Sequence, residues 1–206
     1  MEKTRVLLVD DHTVMRIALA SLLGTCGEIE VVGDASDGAG GVAAALKLRP
    51  DVIVMDLLMP EVDGAEATRR ILQEWPDAKV LVLTTLGTSD VFAKAFECGA
   101  NGAIMKSADL PELRTAIATI AAGKRYLSPE VEQILSDDPP APQLSRRQLE
   151  ILKLAARGYS NTDISSAIGI SAPVVNEHLR AAFAKLGAAN RTEAVAIAIR
   201  KRLFES

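Results

Sequence analysis

Cysteine is nearly missing from this sequence. Cys26 and Cys98 are the only two, far apart and with no second cysteine or histidine close to either. That spacing excludes a disulfide framework or a zinc ribbon and suits reduced small residues of a cytosolic protein. Long hydrophobic runs are missing too. No stretch reaches the roughly 18 apolar residues that a membrane span needs, and the start, MEKTRVLLVDD, meets a double acid too soon for a signal peptide. Basic charge is scarce in the first part of the chain. Residues 1–122 carry 11 Lys and Arg against 18 Asp and Glu, and residues 123–143 carry 2 against 4, whereas residues 144–206 carry 10 against 5. So uneven a division predicts two domains with different partners, the basic one suited to a polyanion.

With 49% hydrophobic residues there is ample material for a core. Up to residue 122, short apolar runs alternate with amphipathic stretches. Strands are predicted at 6–9, 30–33, 51–55, 79–83 and 102–105, and helices at 13–23, 38–48, 65–75, 89–98 and 109–122. Such alternation predicts a doubly wound parallel sheet, and five units favour the flavodoxin-like order 2-1-3-4-5. Residues 127–135 read as one more short helix, with Ser128 as cap and Pro129 at its first position. The run DDPPAPQ at 137–143 reads as a hinge. The expected division is therefore 1–122, a short helix and Pro-rich linker over 123–143, and 144–206.

The stretch VIVMDLLMPEVDG (52–64) runs a buried strand straight into an acid, Asp56. Asp10, Asp11, Thr84 and Lys106 likewise fall at or just past the carboxyl ends of predicted strands. In the proposed order these strands are neighbours, so the five side chains converge where open α/β sheets bind ligands. Three carboxylates packed together repel unless a cation neutralises them. A hard divalent ion such as Mg2+ fits, and it would bridge to a phosphoryl group. Lys106 would add a point charge and Thr84 a hydroxyl donor.

The residues VDD (9–11), MDLLMPEVDG (55–64), LTT (83–85) and the lysine at 106 make residues 5–122 resemble the receiver domain of two-component response regulators. With the C-terminal segment, the resemblance is to the NarL/FixJ (LuxR-type) subfamily. It implies a (βα)5 receiver in which Asp56 is the phosphoacceptor. Asp10, Asp11, Asp56 and the backbone carbonyl of Leu58 would hold Mg2+, with Thr84 and Lys106 binding the phosphoryl group. It further implies a sensor histidine kinase as donor, and no enzyme activity beyond self-phosphorylation and dephosphorylation. Three positions depart from the pattern. Ala103 stands where the family usually has an aromatic, so the switch is weakened or rebuilt. Leu58 and Leu86 stand where polar residues are common, and two leucines over the site would exclude water and prolong the phosphoryl group.

The last part reads as all-helical. Ser145 to Gln148 and Ser160 to Asp163 are capping boxes, Gly158 and Gly169 end helices, Ser171 caps a third helix and Thr192 a fourth. Helix, three-residue turn, helix is the helix-turn-helix arrangement. Residues 144–195 resemble the LuxR-type DNA-binding domain, whose third helix enters the major groove of promoter DNA. With Val175, Leu179, Ala182 and Leu186 inward, the opposite face carries Pro173, Glu177, Arg180 and Ala184, with Asn176 beside it and Lys185 near the end. Glu177 would read a cytosine amino group and Asn176 an adenine. Arg146, Arg147, Arg157 and Arg191 are candidate phosphate contacts, and His178 reads as packing or capping. The apolar fourth helix suits a homodimer. The expectation is a cytoplasmic, phosphorylation-controlled transcription regulator. The alternative is a regulator whose output domain dimerises or binds protein, because Glu177 opposes the electrostatic part of DNA affinity.

Overall fold

The structure is a computed structural model that describes residues 3–85, 87–140, 144–201 and 203. It divides into two units, Met1–Pro139 and Pro140–Ser206. The first is a parallel sheet of six strands in the order β2-β1-β3-β4-β5-β6. The strands are β1 (Thr4–Val9), β2 (Ile29–Ala35), β3 (Val52–Met55), β4 (Val80–Thr84), β5 (Gly102–Met105) and β6 (Tyr126–Leu127). Between them run α1 (Thr13–Gly24), α2 (Gly38–Leu48), α3 (Gly64–Glu74), α4 (Ser89–Glu97) and α5 (Leu110–Ala121).

Every residue of β3, β4 and β5 is buried, as a strand covered on both faces requires. Side chains alternate between those faces. Val6 and Leu8 of β1 join Val52, Val54, Leu81 and Ile104 under α1 and α5. Leu7 and Val9 join Ile53, Met55 and Val80 under α2 and α3. A third cluster forms where Val82, Ala103 and Met105 meet Phe92 and Ala95 of α4.

The five expected strands take the expected order, and a sixth follows that the sequence reading lacks. Tyr126–Leu127 pairs with Gly102 and Ala103, and α6 (Pro129–Asp137) follows, its Ser128 cap accepting from the Val131 N–H at 3.3 Å. The reason it escapes a pattern search is length: two residues show no alternation. Residues 123–139 belong to the first unit. Of the expected hinge, residues 141–143 lie outside the described residues.

The second unit holds α7 (Arg146–Ala156), α8 (Asn161–Ile168), α9 (Ala172–Leu186) and α10 (Arg191–Arg200). Its core joins Ile151, Leu152, Ile164, Val175, Leu179, Leu186, Ala194 and Ala198. Both predicted capping boxes form, and Gly169 closes α8 at φ 68°, a left-handed conformation that favours glycine. Two caps differ. Asn190, not Thr192, starts α10 by accepting from the Glu193 N–H at 3.0 Å; its extended backbone suits a cap, whereas Thr192 lies inside the first turn of the helix. Ser171 sits at the cap position of α9 but makes no side-chain cap bond.

Candidate functional site

Because all strands are parallel, their carboxyl ends share one edge, and four chemically active side chains meet there. Asp10 follows β1, Asp56 follows β3, Thr84 ends β4 and Lys106 follows β5. Asp10, Asp56 and Thr84 are buried. Backbone bonds fix them: the Asp56 N–H donates to the Val9 carbonyl and the Lys106 N–H to the Thr84 carbonyl, each at 2.8 Å. Lys106 Nζ lies 2.5 Å from Asp10 Oδ2 and 2.8 Å from Asp56 Oδ2. Burial by itself would push the ammonium pKa down, but the bonds and charges of the two acids outweigh it and hold it above the usual lysine value. Asp56 Oδ1 accepts the Leu58 N–H at 3.2 Å.

Asp10, Asp11, His12 and Asp56 each offer a ligand atom, all within 4.8 Å of one another. Lys106 Nζ meets Asp10 Oδ2, and His12 Nδ1 lies 2.7 Å from Asp11 Oδ1. Both oxygens are buried, and Asp11 Oδ1 receives no hydrogen bond among the described residues. Three acids that share a single lysine, one of them with a buried oxygen that no donor reaches, ask for a cation. Three acids with a fully oxygen donor set fit a hard divalent ion such as Mg2+, whereas His12, largely exposed, can only border it.

The loop after Asp56 is shaped by close approach and strain. A Cβ on Gly64 would collide with the Asp56 carbonyl oxygen. Glu61 takes φ 62°, and the Val62 N–H donates back to the Pro60 carbonyl at 2.7 Å. Asp63 caps α3 by accepting from the Glu66 N–H at 2.7 Å, and it pairs with Lys94 of α4 at 2.7 Å. The Leu58 side chain is 45% exposed and lines a groove of about 160 Å3 with Val91 and Lys94. Leu86 lies outside the described residues.

Ala103 sits at 0% exposure in the cluster of Phe92 and Val131, with Leu127 against it. The sixth strand and α6 therefore occupy the flank where an aromatic side chain at this position would need room. Two contacts tie α6 and its C-terminal cap to the site's surroundings: Ser107 Oγ, just past Lys106, donates to Glu130 Oε2 at 3.2 Å, and Ser89 Oγ of α4 to Asp138 Oδ2 at 3.3 Å.

On α9 the inward residues are Val175, Leu179, Ala182 and Leu186, as predicted. Pro173, Val174, Asn176, Glu177, Arg180 and Ala184 are exposed. Other candidates are engaged within the unit. Arg147 bonds Glu150 and the Ile168 carbonyl, Lys185 meets Gln148 Oε1 at 3.1 Å, and Arg191 bonds Asn161 and the carbonyls of Ala155 and Tyr159. Arg146 and Arg157 are exposed.

Residues 6–118 match the family described as response regulator receiver domain, and residues 142–198 match bacterial regulatory proteins of the luxR family. Response regulator protein VraR of Staphylococcus aureus (strain NCTC 8325 / PS 47) is 36% identical, covering 98% of this chain and 99% of the relative. The chain belongs to the response regulators. Among solved structures it is similar to the response regulator ChrA of a heme-sensing two-component system, with 37% identity, TM-score 0.58 and coverage of 99% of this chain and 100% of that one. A LuxR-family response regulator from Aurantimonas sp. SI85-9A1 shares 38% identity at TM-score 0.63, covering 66% of this chain and 97% of that one.

This response regulator thus joins a receiver domain to a LuxR-type helix-turn-helix domain, as the motifs suggest. The sequence reading does not single out His12 or Arg16. Arg16 occupies an ordinary polar position of α1, and only its bonds, to the Asp10 carbonyl and to Asp34, set it apart. No helix among the described residues is long and apolar enough to cross a membrane.

Proposed function

We propose that this response regulator is cytoplasmic, accepts a phosphoryl group on Asp56 from a sensor histidine kinase, and controls transcription by binding promoter DNA, as a homodimer when active. The observation that carries the reading is the buried Asp56 carboxylate, 2.8 Å from Lys106 and grouped with the acids Asp10 and Asp11. An Asp56 carboxylate oxygen attacks phosphorus, the P–N bond of the phosphohistidine breaks, and the imidazole leaves with a proton. Later attack by water on the acyl phosphate returns the carboxylate and inorganic phosphate.

Asp10, Asp11, Asp56 and the Leu58 carbonyl would hold Mg2+, which when bound neutralises charge between carboxylate and phosphoryl oxygens. Lys106, released from Asp56 by the incoming group, pairs with a phosphoryl oxygen, and the Thr84 hydroxyl donates to another. On α9, Glu177, Asn176 and Arg180 face the bases, while Arg146 and Lys185 stand nearest the phosphates and Arg147 holds α8 in place.

The test is phosphate incorporation from a small-molecule phosphodonor with and without Mg2+, followed by selection of bound genomic fragments. Labelling that persists in Asp56→Asn would refute the phosphoacceptor assignment. A second reading, an output domain that dimerises or binds protein, draws on Glu177 and the exposed Val174. Failure of the phosphorylated protein to retain any DNA fragment would favour it.

A further inference from the structure

The turn carrying Asp10, Asp11 and His12 leaves the end of β1, and one side chain grips its backbone from α1. Arg16 donates from Nη1 to the Asp10 carbonyl oxygen at 2.6 Å and from Nε to Asp34 Oδ2, on β2, at 2.9 Å. Its side chain is only 12% exposed, whereas that of Asp34 is 58% exposed. The rest of the turn is fixed from within: the Asp10 N–H donates to the Ala35 carbonyl at 3.1 Å, and the His12 N–H to Asp10 Oδ1 at 2.8 Å. The carbonyl of Asp10 is the handle by which the peptide joining the two acids is oriented.

We propose that Arg16 is a positioning residue for cation capture, with Asp34 as its buttress. It locks the Asp10–Asp11 peptide plane so that both carboxylates, whose oxygens Asp10 Oδ2 and Asp11 Oδ1 are buried, face Asp56. The inference rests on the reading above that these acids take Mg2+. A planar fork is suited to this task. It spans a carbonyl and a carboxylate at once, as a lysine ammonium, a single point of charge, does not.

Charge and position make opposite predictions, which renders the proposal decidable. Arg16 is a cation beside a cation site, so its charge alone opposes Mg2+, and removing it would tighten binding. Loss of positioning weakens binding. Changing a group that orients a metal ligand costs about 10- to 100-fold in affinity.

The experiment uses the full chain, titrated with Mg2+ alone by calorimetry, and then the phosphorylation rate from a small-molecule phosphodonor against Mg2+ concentration. Arg16→Lys, which keeps the charge, is expected to raise the Mg2+ dissociation constant about tenfold. The rate at saturating Mg2+ should stay near that of the wild type. Arg16→Gln, which removes the charge and on charge alone would tighten binding, is expected to weaken it as well and decides the matter if Arg16→Lys does not fold. Unchanged or tighter Mg2+ binding in both variants overturns the role of Arg16. So does a lower saturating rate at unchanged Mg2+ affinity. Absence of Mg2+ binding by the wild type is a different failure, and it overturns the site reading itself.

Discussion

Replacing Lys106 with methionine keeps most of the side-chain volume and removes a buried ammonium that faces two buried carboxylates. The three side chains are 4% (Lys106), 4% (Asp10) and 2% (Asp56) exposed, so solvent screening is slight. Each pair attracts by about 4 kcal/mol for charges about 4 Å apart at an effective dielectric of about 20. Desolvation of all three groups takes back most of that, so intact pairs add little net stability. Breaking them is another matter, because two acids are left uncompensated, at a cost of about 3–5 kcal/mol. The single tryptophan, Trp75, lies at the end of α3 with Arg49 stacked 4.7 Å from its ring centroid, and its fluorescence reports the receiver alone. With a urea slope of about 2 kcal/mol/M, the receiver midpoint of Lys106→Met should fall by about 2 M in chelator. Mg2+ at about 100 times its dissociation constant should return about 2.7 kcal/mol. A metal-free midpoint matching the wild type would falsify the view that Lys106 is what neutralises these acids.

Four further outcomes are expected. Asp63→Ala removes the α3 cap and should cost about 1 kcal/mol at neutral pH. Burial would raise the Asp63 pKa, but the bonds from Lys94 and the Glu66 N–H outweigh it and hold it below 3.8. Its contribution is thus present above that value and lost as pH falls through the depressed one, so urea midpoints of variant and wild type should converge in acid. Glu61→Gly relieves a left-handed residue and should raise the receiver midpoint, by up to about 1 kcal/mol in stability; a lower midpoint would show that the Glu61 side chain compensates its backbone. Arg191→Gln loses charge-assisted bonds to two carbonyls and should destabilise the helix-turn-helix unit by about 1.5–3 kcal/mol. Arg180→Ala should leave its melting unchanged and weaken DNA retention instead, and the reverse pattern would exchange their roles.

The strand-end acids were legible because a buried parallel strand announces itself as an apolar run, and its carboxyl end is then fixed by counting. Asp10, Asp56, Thr84 and Lys106 all fall where that reasoning places them. What escaped it is short or carried by bonds to backbone. Two-residue β6 has no periodicity to detect. Arg16, Arg147 and Arg191 look alike as surface arginines in sequence, yet each bonds a carbonyl oxygen. Composition cannot report which guanidinium is already engaged.

The sixth strand also sets where this receiver can be cut from the chain. Five strand–helix units end at Ala121, and a cleavage there looks natural on topology. It would strip Leu127 and Val131 from Ala103 and Phe92. It would also leave the carbonyl of Ala103, which accepts the Ser128 N–H at 3.1 Å, on an open edge, and an unpaired edge strand over exposed apolar side chains is a template for association. A receiver ending after Pro139 keeps its own selvage, whereas one ending at 122 would be prone to stick to its neighbours before it could be asked anything about phosphate.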